Sequence, residues 1–398
     1  MECNTKEEKE WADIEETGFV FDIGSLYSYL IKLKDSRKKQ GLRYSLATIL
    51  VLMILAKLSG QDKPSGIADW AQNRSEQLAN ALELERKQMP HHSTYRRVLG
   101  ECIDEDEFEQ IVSDFWVQQP EVGKSMVISI DGKTLRGTIT LDDPFGLHLL
   151  AAYLPDEGIV LMQMQVEKDK ENEIVVAPQL LTCLDLRNKV VVGDAMHTQR
   201  NLSAQIVEAE GDYVWIVKDN QPKTRQAIEQ LFAPEKPVPG LGCPPMDFKM
   251  AETFDIGHGR IEERTITVSS MLNDYLDWPY LGQVFKLKRK FTYPSTGRVW
   301  QEVRYGITSL SLEKATPELL LYIIRSEWGI ENGLHYRRDV TFQEDATRMT
   351  KISFARVMAI INNLVNGLLS HNGFRNFAQA RRFYDAHPLQ ALHAVCRL

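Results

Sequence analysis

Cysteine is scarce in this chain, and the five present (Cys3, Cys102, Cys183, Cys243 and Cys396) are scattered without a C-x-x-C pair. That spacing excludes a disulfide framework and a thiolate zinc site, and it suits a reducing cytoplasm. Histidine offers no substitute: His197, His258 and His335 lack the close spacing of zinc ligands and read as structural or merely polar residues. There is no G-x-S-x-G and no reactive-cysteine signature, and Gly257-His-Gly-Arg260 has too few glycines for a nucleotide loop and reads as a turn. Long apolar runs are lacking too. The longest, Leu46 to Ala56, is about half a membrane span, and the N-terminus is acidic where an export signal would be basic, so neither membrane insertion nor export is expected.

What remains is the composition of a folded protein. Of 398 residues, 43% are hydrophobic, 26% charged and 9% aromatic, which argues against collagen-like, disordered and low-complexity classes. The length leaves room for two or three domains and a sizeable core. The formal charge of −8 is unevenly placed: residues 1–22 hold eight acids against Lys6 and Lys9, so the remainder carries only −2. That acidic stretch reads as a solvated, flexible tail. Two basic patches, Arg37-Lys38-Lys39 with Arg43 and Lys286-Leu-Lys-Arg-Lys290, can still meet phosphate, so net charge leaves nucleic acid open as a partner.

Helical periodicity predicts an all-α region over residues 23–120, with helices near 44–58, 66–78 and 104–116. Within it, Ser93 or Thr94 is expected to cap a short helix that presents Arg96 and Arg97, either to DNA or simply to solvent. After Pro120 the pattern changes to strands at 126–130, 149–153 and 159–166, a β-meander, and then alternates helix 174–183, strand 189–192, helix 199–208 and strand 213–217. A mixed α/β sheet follows from that alternation. Residues 234–305, rich in Pro and Gly and then strand-like, read as a β-rich insertion. Thr316 and Pro317 open a long helix predicted to reach about Arg338, and a second helix over 352–369 precedes a basic C-terminal tail.

Three acids stand where a fold has little structural use for them. Asp131 ends the apolar run Met126 to Ile130, and Asp194 follows Val190-Val-Val-Gly193. Carboxylates at the carboxyl ends of two sheet strands can converge on one site. Glu331 shares a helix face with Trp328, His335 and Arg338, at spacings of three, four and three. Three such carboxylates repel unless divalent cations compensate. Hard oxygen donors suit Mg²⁺ or Mn²⁺, and a pair of ions about 3.5–4 Å apart serves phosphodiester cleavage. Any one of these acids alone would more often be a turn, cap or solvated helix residue. Glu327, Asp339, Glu344 and Asp345 compete for the third position; the last three fall at or beyond the expected helix end, where metal geometry is harder to hold.

Ile130-Asp131-Gly-Lys-Thr-Leu-Arg-Gly137, Gly193-Asp194-Ala-Met-His-Thr-Gln199 and Trp328-Gly-Ile-Glu331-Asn-Gly-Leu-His335, followed by Asp339-Val-Thr-Phe and Glu344-Asp345, closely resemble the transposases of bacterial insertion sequences, the group that includes the H-repeat-associated proteins of Rhs elements. The stretch Asp35 to Tyr44 resembles that group's N-terminal associated domain. The resemblance implies an α-helical, DNA-binding region followed by a ribonuclease-H-like DDE catalytic domain over 121–398, with a β-rich insertion before the glutamate helix. It implies Asp131, Asp194 and Glu331 as metal-binding catalytic acids for two Mg²⁺ or Mn²⁺ ions. The wider superfamily keeps Tyr, Arg, Glu and Lys in fixed register on this helix. Here Tyr322 and Arg325 fit each other, Glu331 lies two residues further on, and Arg338 takes the lysine's place.

The expected function is metal-dependent cleavage at element ends and strand transfer into target DNA, in the cytoplasm, by a homodimer assembled on duplex DNA. Candidate DNA contacts are Arg37, Lys38, Lys39, Arg43, Arg96, Arg97, Tyr322, Arg325, His335 and Arg338. The rival readings are a transposon-derived protein without transposition activity and a nuclease that cuts but does not join.

Overall fold

The structure, a computed structural model, describes residues 21–38, 42–167, 173–233, 246–257 and 259–396. Most of the acidic tail, Lys39, His258, Cys3 and Cys243 lie outside these residues. In chain order the elements are α1 (Leu26–Leu30), α2 (Leu46–Leu58), α3 (Pro64–Asn73), α4 (Ser75–Ala81), α5 (His92–Arg97), α6 (Glu105–Val117), β1 (Val127–Leu135), β2 (Leu147–Leu154), β3 (Ile159–Val166), α7 (Glu173–Thr182), β4 (Val190–Gly193), α8 (Arg200–Glu208), β5 (Asp212–Val217) and α9 (Pro222–Leu231). Then come β6 (Lys249–Gly257), β7 (Arg260–Ser269), β8 (Gln283–Tyr293), β9 (Arg298–Thr308), α10 (Pro317–Ile330), α11 (Ile352–His371), α12 (Phe377–Ala386) and α13 (Pro388–Cys396).

Among the described residues one mixed sheet of nine strands runs in the order β3-β2-β1-β4-β5-β9-β8-β7-β6. β1 to β3 form the expected antiparallel meander, β4 and β5 join parallel to β1, and β9 closes antiparallel on β5. The β-rich stretch therefore extends the central sheet and does not stand apart from it. In the run Val190-Val-Val192, Val191 points into a core with α7, α8 and α9, while Val190 and Val192 point into a core under α10. Helices cover this part of the sheet on both faces, which explains why β4 and β5 read as unbroken apolar runs.

Helix α2 is buried along all thirteen of its residues, Lys57 included, because it is apolar all round and the other helices surround it. Its Ser45 cap accepts a hydrogen bond from the Thr48 amide at 3.0 Å. Four local expectations are corrected. The helix foreseen over 66–78 is two, α3 and α4, broken at Arg74. Helix α5 is capped by His91, whose Nδ1 accepts from the Ser93 amide, and not by Ser93 or Thr94. Beyond Ile330 the glutamate helix widens into π turns at Glu331–His335 and Arg337–Thr341. The C-terminal tail folds as α12 and α13, which share one core with α1 to α6 and α11. Helix α11 is long and apolar enough to cross a membrane, yet 78% of that window is buried inside the protein. Its interior face meets Trp116, so a Cβ on Gly367 would lie 2.5 Å from that ring.

Candidate active site

Strands β1 and β4 pair in parallel from Val127↔Val190 to Ile130↔Gly193. Asp131 and Asp194 are the residues that follow this last pair, so their backbones leave the paired strands side by side. β4 ends there, whereas β1 continues to Leu135 paired only with β2, Asp131 opposite Ala151. The sequence reading placed Asp131 at a strand end; in fact only the parallel pairing and the fully buried part of the strand end there. Gly193 permits the close approach, since a Cβ at that position would sit 3.0 Å from the Ile130 carbonyl oxygen and 3.1 Å from the His197 ring.

Each aspartate has a partner. Asp131 Oδ2 lies 3.2 Å from His335 Nε2. Asp194 Oδ1 accepts from the Ala195 amide at 2.6 Å, capping the short turn Ala195–His197, and from Lys218 Nζ at 2.9 Å. Burial would raise the Asp194 carboxyl, but the hydrogen bonds from Lys218 and the Ala195 amide outweigh it and hold the group below its ordinary value. Helix α10 crosses β1, and Ser129 Oγ donates to the Glu327 carbonyl at 3.4 Å.

That crossing brings Glu327 to the pair. Its carboxyl is pushed up to about 7, first by burial, with the charges of Asp194 and Asp131 adding to the rise and those of Arg304 and Lys218 opposing it. Glu331, one turn later, opens the first π turn, is exposed and makes no ion pair among the described residues. By spacing Glu327 can share a face with Glu331, and the family motif favours Glu331; the closeness of Glu327 to the aspartates comes only from the packing of α10 on β1. The remaining rivals are engaged elsewhere. Asp339 takes Lys133 Nζ at 2.7 Å, Asp345 lies 3.8 Å from the same ammonium, and Glu344 is buried against Arg338 at 2.8 Å.

A second polar group lies behind the aspartates, unforeseen from sequence apart from His197. Glu173 Oε1 meets His148 Nε2 at 2.9 Å and Glu173 Oε2 meets His197 Nε2 at 3.2 Å. Burial works against the Glu173 charge, but hydrogen bonds and charge from the two imidazoles overcome it and hold the carboxyl at about 2. A Cβ on Gly132 would lie 2.2 Å from Glu173 Oε1, so this group packs directly against the residue after Asp131. No signal in the sequence joins His148 and Glu173, because they come from β2 and α7.

The other candidate contacts divide by availability. Lys38, Arg43, Arg96 and Arg97 are exposed. Arg37 is clamped by Asp35 at 2.6 Å and by the Tyr44 carbonyl at 3.0 Å, with its side chain 8% exposed, so it is not a free surface cation. Tyr322 donates its hydroxyl to Asp156, and Arg325 pairs with Asp255 at 3.1 Å, both at the surface. Arg338 is buried with Glu344 and Asn363, which removes it from the surface where a lysine substitute was expected. His335 faces Asp131 from inside.

Two family models match the chain: "Transposase DDE domain" over residues 123–365 and "DDE_Tnp_1-associated" over residues 27–116. The chain belongs to the DDE transposase family. It is 30% identical over 355 residues to "Putative transposase YncI" of Escherichia coli O157:H7, covering 87% of each chain. It is 27% identical over 359 residues to "H repeat-associated putative transposase YhhI" of Escherichia coli strain K12, covering 88% of this chain and 92% of that one.

Transposases of the DDE family use divalent metal ions. Among the described residues no three His, Cys, Asp or Glu side chains stand close enough to hold an ion by themselves. The donors nonetheless fit Mg²⁺, which is commonly held by one or two carboxylates completed by water and substrate phosphate. Asp131 and Asp194 are such hard-oxygen donors, the residues that follow the last paired positions of β1 and β4.

Proposed function

We propose that this transposase cuts duplex DNA at element ends and joins the released 3′-hydroxyl to target DNA, with Asp131, Asp194 and Glu331 as its metal-binding catalytic acids. The observation that carries the reading is the side-by-side placement of Asp131 and Asp194 where β1 and β4 stop pairing. The strand order β3-β2-β1-β4-β5, antiparallel and then parallel, supports a ribonuclease-H-like catalytic domain over 121–398, preceded by a helical DNA-binding region over 23–120. The bound ions, two Mg²⁺ or Mn²⁺, would activate the attacking oxygen and neutralise charge at phosphorus. Water attacks the phosphodiester first and its P–O3′ bond breaks; the freed 3′-hydroxyl then attacks a target phosphodiester, whose own P–O3′ bond breaks to leave a target 3′-hydroxyl. Asp131 and Asp194 hold the reacting phosphate's neighbourhood in place, His335 orients Asp131, and Lys218 orients Asp194. Lys38, Lys39, Arg43, Arg96, Arg97, Tyr322 and Arg325 are proposed phosphate contacts, and a homodimer on paired DNA ends is the proposed assembly.

Glu331 takes the third position because it stands in Trp328-Gly-Ile-Glu331, the motif that carries the family likeness. Glu327 is the second reading, favoured by its coupling to both aspartates. Full-length protein with a duplex bearing the element end, in Mg²⁺, decides between them. Asp131→Asn and Asp194→Asn should abolish nicking, and Glu331→Gln should do so with little change in melting temperature. Nicking that survives Glu331→Gln but not Glu327→Gln moves the role to Glu327. Cutting without joined products leaves a nuclease, and an inactive wild-type chain leaves a transposon remnant.

A further inference from the structure

Well outside the carboxylate site, a groove of about 890 Å³ separates α5 and its following turn from the segment 346–351 that leads into α11. Lys63, Arg96, Arg97, Arg348 and Lys351 line it, against the single carboxylate of Glu101. All five cations are exposed, in a chain whose formal charge is −8. Lys63, Arg96 and Arg348 have no carboxylate within ion-pair distance among the described residues. The walls are tied together: Lys351 Nζ pairs with Glu101 at 2.9 Å, and Ser353 Oγ donates to the Gly100 carbonyl at 3.4 Å.

The catalytic-domain wall is also anchored to the short turn Arg136–Thr138 that follows the strand bearing Asp131. The Met349 amide donates to the Gly137 carbonyl at 2.9 Å, and a Cβ on Gly137 would lie 2.1 Å from the Thr347 carbonyl oxygen. Gly137 is six residues beyond Asp131, no more than roughly 20 Å along extended chain. A turn of B-DNA rises about 34 Å, so a phosphate backbone lying in the groove can be continuous with a duplex whose scissile phosphate is at Asp131. Solvated cations, three of them without an acid partner among the described residues, are what phosphate binding needs, and such contacts position a duplex without reading its sequence.

We infer that this groove holds the phosphate backbone of the duplex that flanks the cleaved position, clamping it between the N-terminal helices and the start of α11. The inference rests on the proposed DNA chemistry but predicts a binding effect that is measured without cleavage. The test is fluorescence anisotropy of a 30-base-pair duplex with the full-length protein across a salt series, without divalent metal. The double variant Arg96→Ala with Arg348→Ala is expected to lower the slope of log affinity against log salt by about two units and to weaken binding by roughly tenfold or more at 0.15 M salt. Glu101→Gln removes the only acid that lines the groove among the described residues and should tighten binding, a gain that misfolding cannot produce. Arg187→Ala, in a surface turn where Arg187 pairs with Asp185, serves as the control and should leave the slope unchanged.

A slope unaltered by Arg96→Ala with Arg348→Ala, or a loss equalled by Arg187→Ala, overturns the groove whether or not the wild type cuts DNA. Tighter binding of an RNA duplex than of the DNA duplex overturns the assignment to DNA. If the groove variants behave as expected while Asp131→Asn still cuts, the catalytic proposal fails and the groove stands.

Discussion

The two halves of the nine-stranded sheet are built on different terms. From β3 to β5 most residues are buried, helices lie on both faces, and β4 and β5 read as continuous apolar runs. From β6 to β9 burial is partial, β6 and the outer part of β9 are largely exposed, and charged ladders cross the strands. Glu262 on β7 binds Arg289 on β8 at 2.8 Å and Arg264 at 2.7 Å, and Glu263 meets Lys290 at 3.0 Å. Arg289 and Arg304 in turn stack on Trp328 of α10 at 5.0 and 5.7 Å. The first half gives the aspartates a rigid floor. The second half packs on the same helix that carries Glu327, through a buried apolar core of Ile266, Val268, Phe285 and Leu287 and, further out, through charge and ring contacts that salt can weaken.

The largest expected effect tests the apolar half. Trp215 on β5 is fully buried and donates its indole N–H to Ser203 Oγ at 3.0 Å; Trp215→Ala should cost about 3–5 kcal/mol in urea unfolding. A loss below about 1 kcal/mol would show that this half is not held by packing. Next comes the charged half. Glu262→Gln keeps the shape but removes the carboxylate charge that Arg264 and Arg289 share, leaving them Asp255 and Glu302, with an expected cost of about 1–3 kcal/mol that shrinks in high salt. A cost independent of salt would break the contrast.

A smaller effect joins the halves at Glu327. Its carboxyl is held at about 7 in the folded chain, against an ordinary value of 4.5. Between those values the folded state keeps a proton that the unfolded state has lost, so stability should fall as pH rises from about 4.5 to 7 and then level off. Glu327→Gln should flatten that part of the melting-temperature profile, and an undiminished fall would assign it to another group. Smallest of all is Trp300→Ala on β9, where the ring is 47% exposed and leans on Phe291; it should cost less than about 1 kcal/mol.

Much of the first half was legible in advance because its strands are short apolar blocks between turn signals. β3 falls at Ile159–Val166 as expected, and β1, β2, β4 and β5 differ by one or two residues at most ends. β1 is the exception at its C-terminal end, since Gly132 and Lys133 interrupt the apolar pattern while the backbone stays paired to β2. The far half was legible as strands but not as part of the same sheet: no local pattern announces that Val214 to Val217 will pair with Tyr305 to Thr308. The fate of the cations was no more visible. Arg338 and Arg37 look like surface charges in a string of letters; Arg37 is withdrawn by its near neighbours Asp35 and Tyr44, and Arg338 by burial against Glu344 and by Asn363, a residue that only folding brings to it.

By itself, then, the sequence determined the apolar strands, the Thr316 cap of α10, the two aspartates that follow strands β1 and β4 in the apolar pattern, and the family motifs around them, because these depend on neighbours a few residues away. The tertiary structure decided what depends on distant ones. It set Asp131 beside Asp194 through the parallel register of β1 and β4, turned Glu327 toward them through the crossing of α10, and bridged His148 and His197 with Glu173. It also closed a cationic groove from residues more than two hundred positions apart. Electrostatic coupling and ion pairing act through space over a few ångströms, so which charges meet is fixed only when packing has brought their elements together.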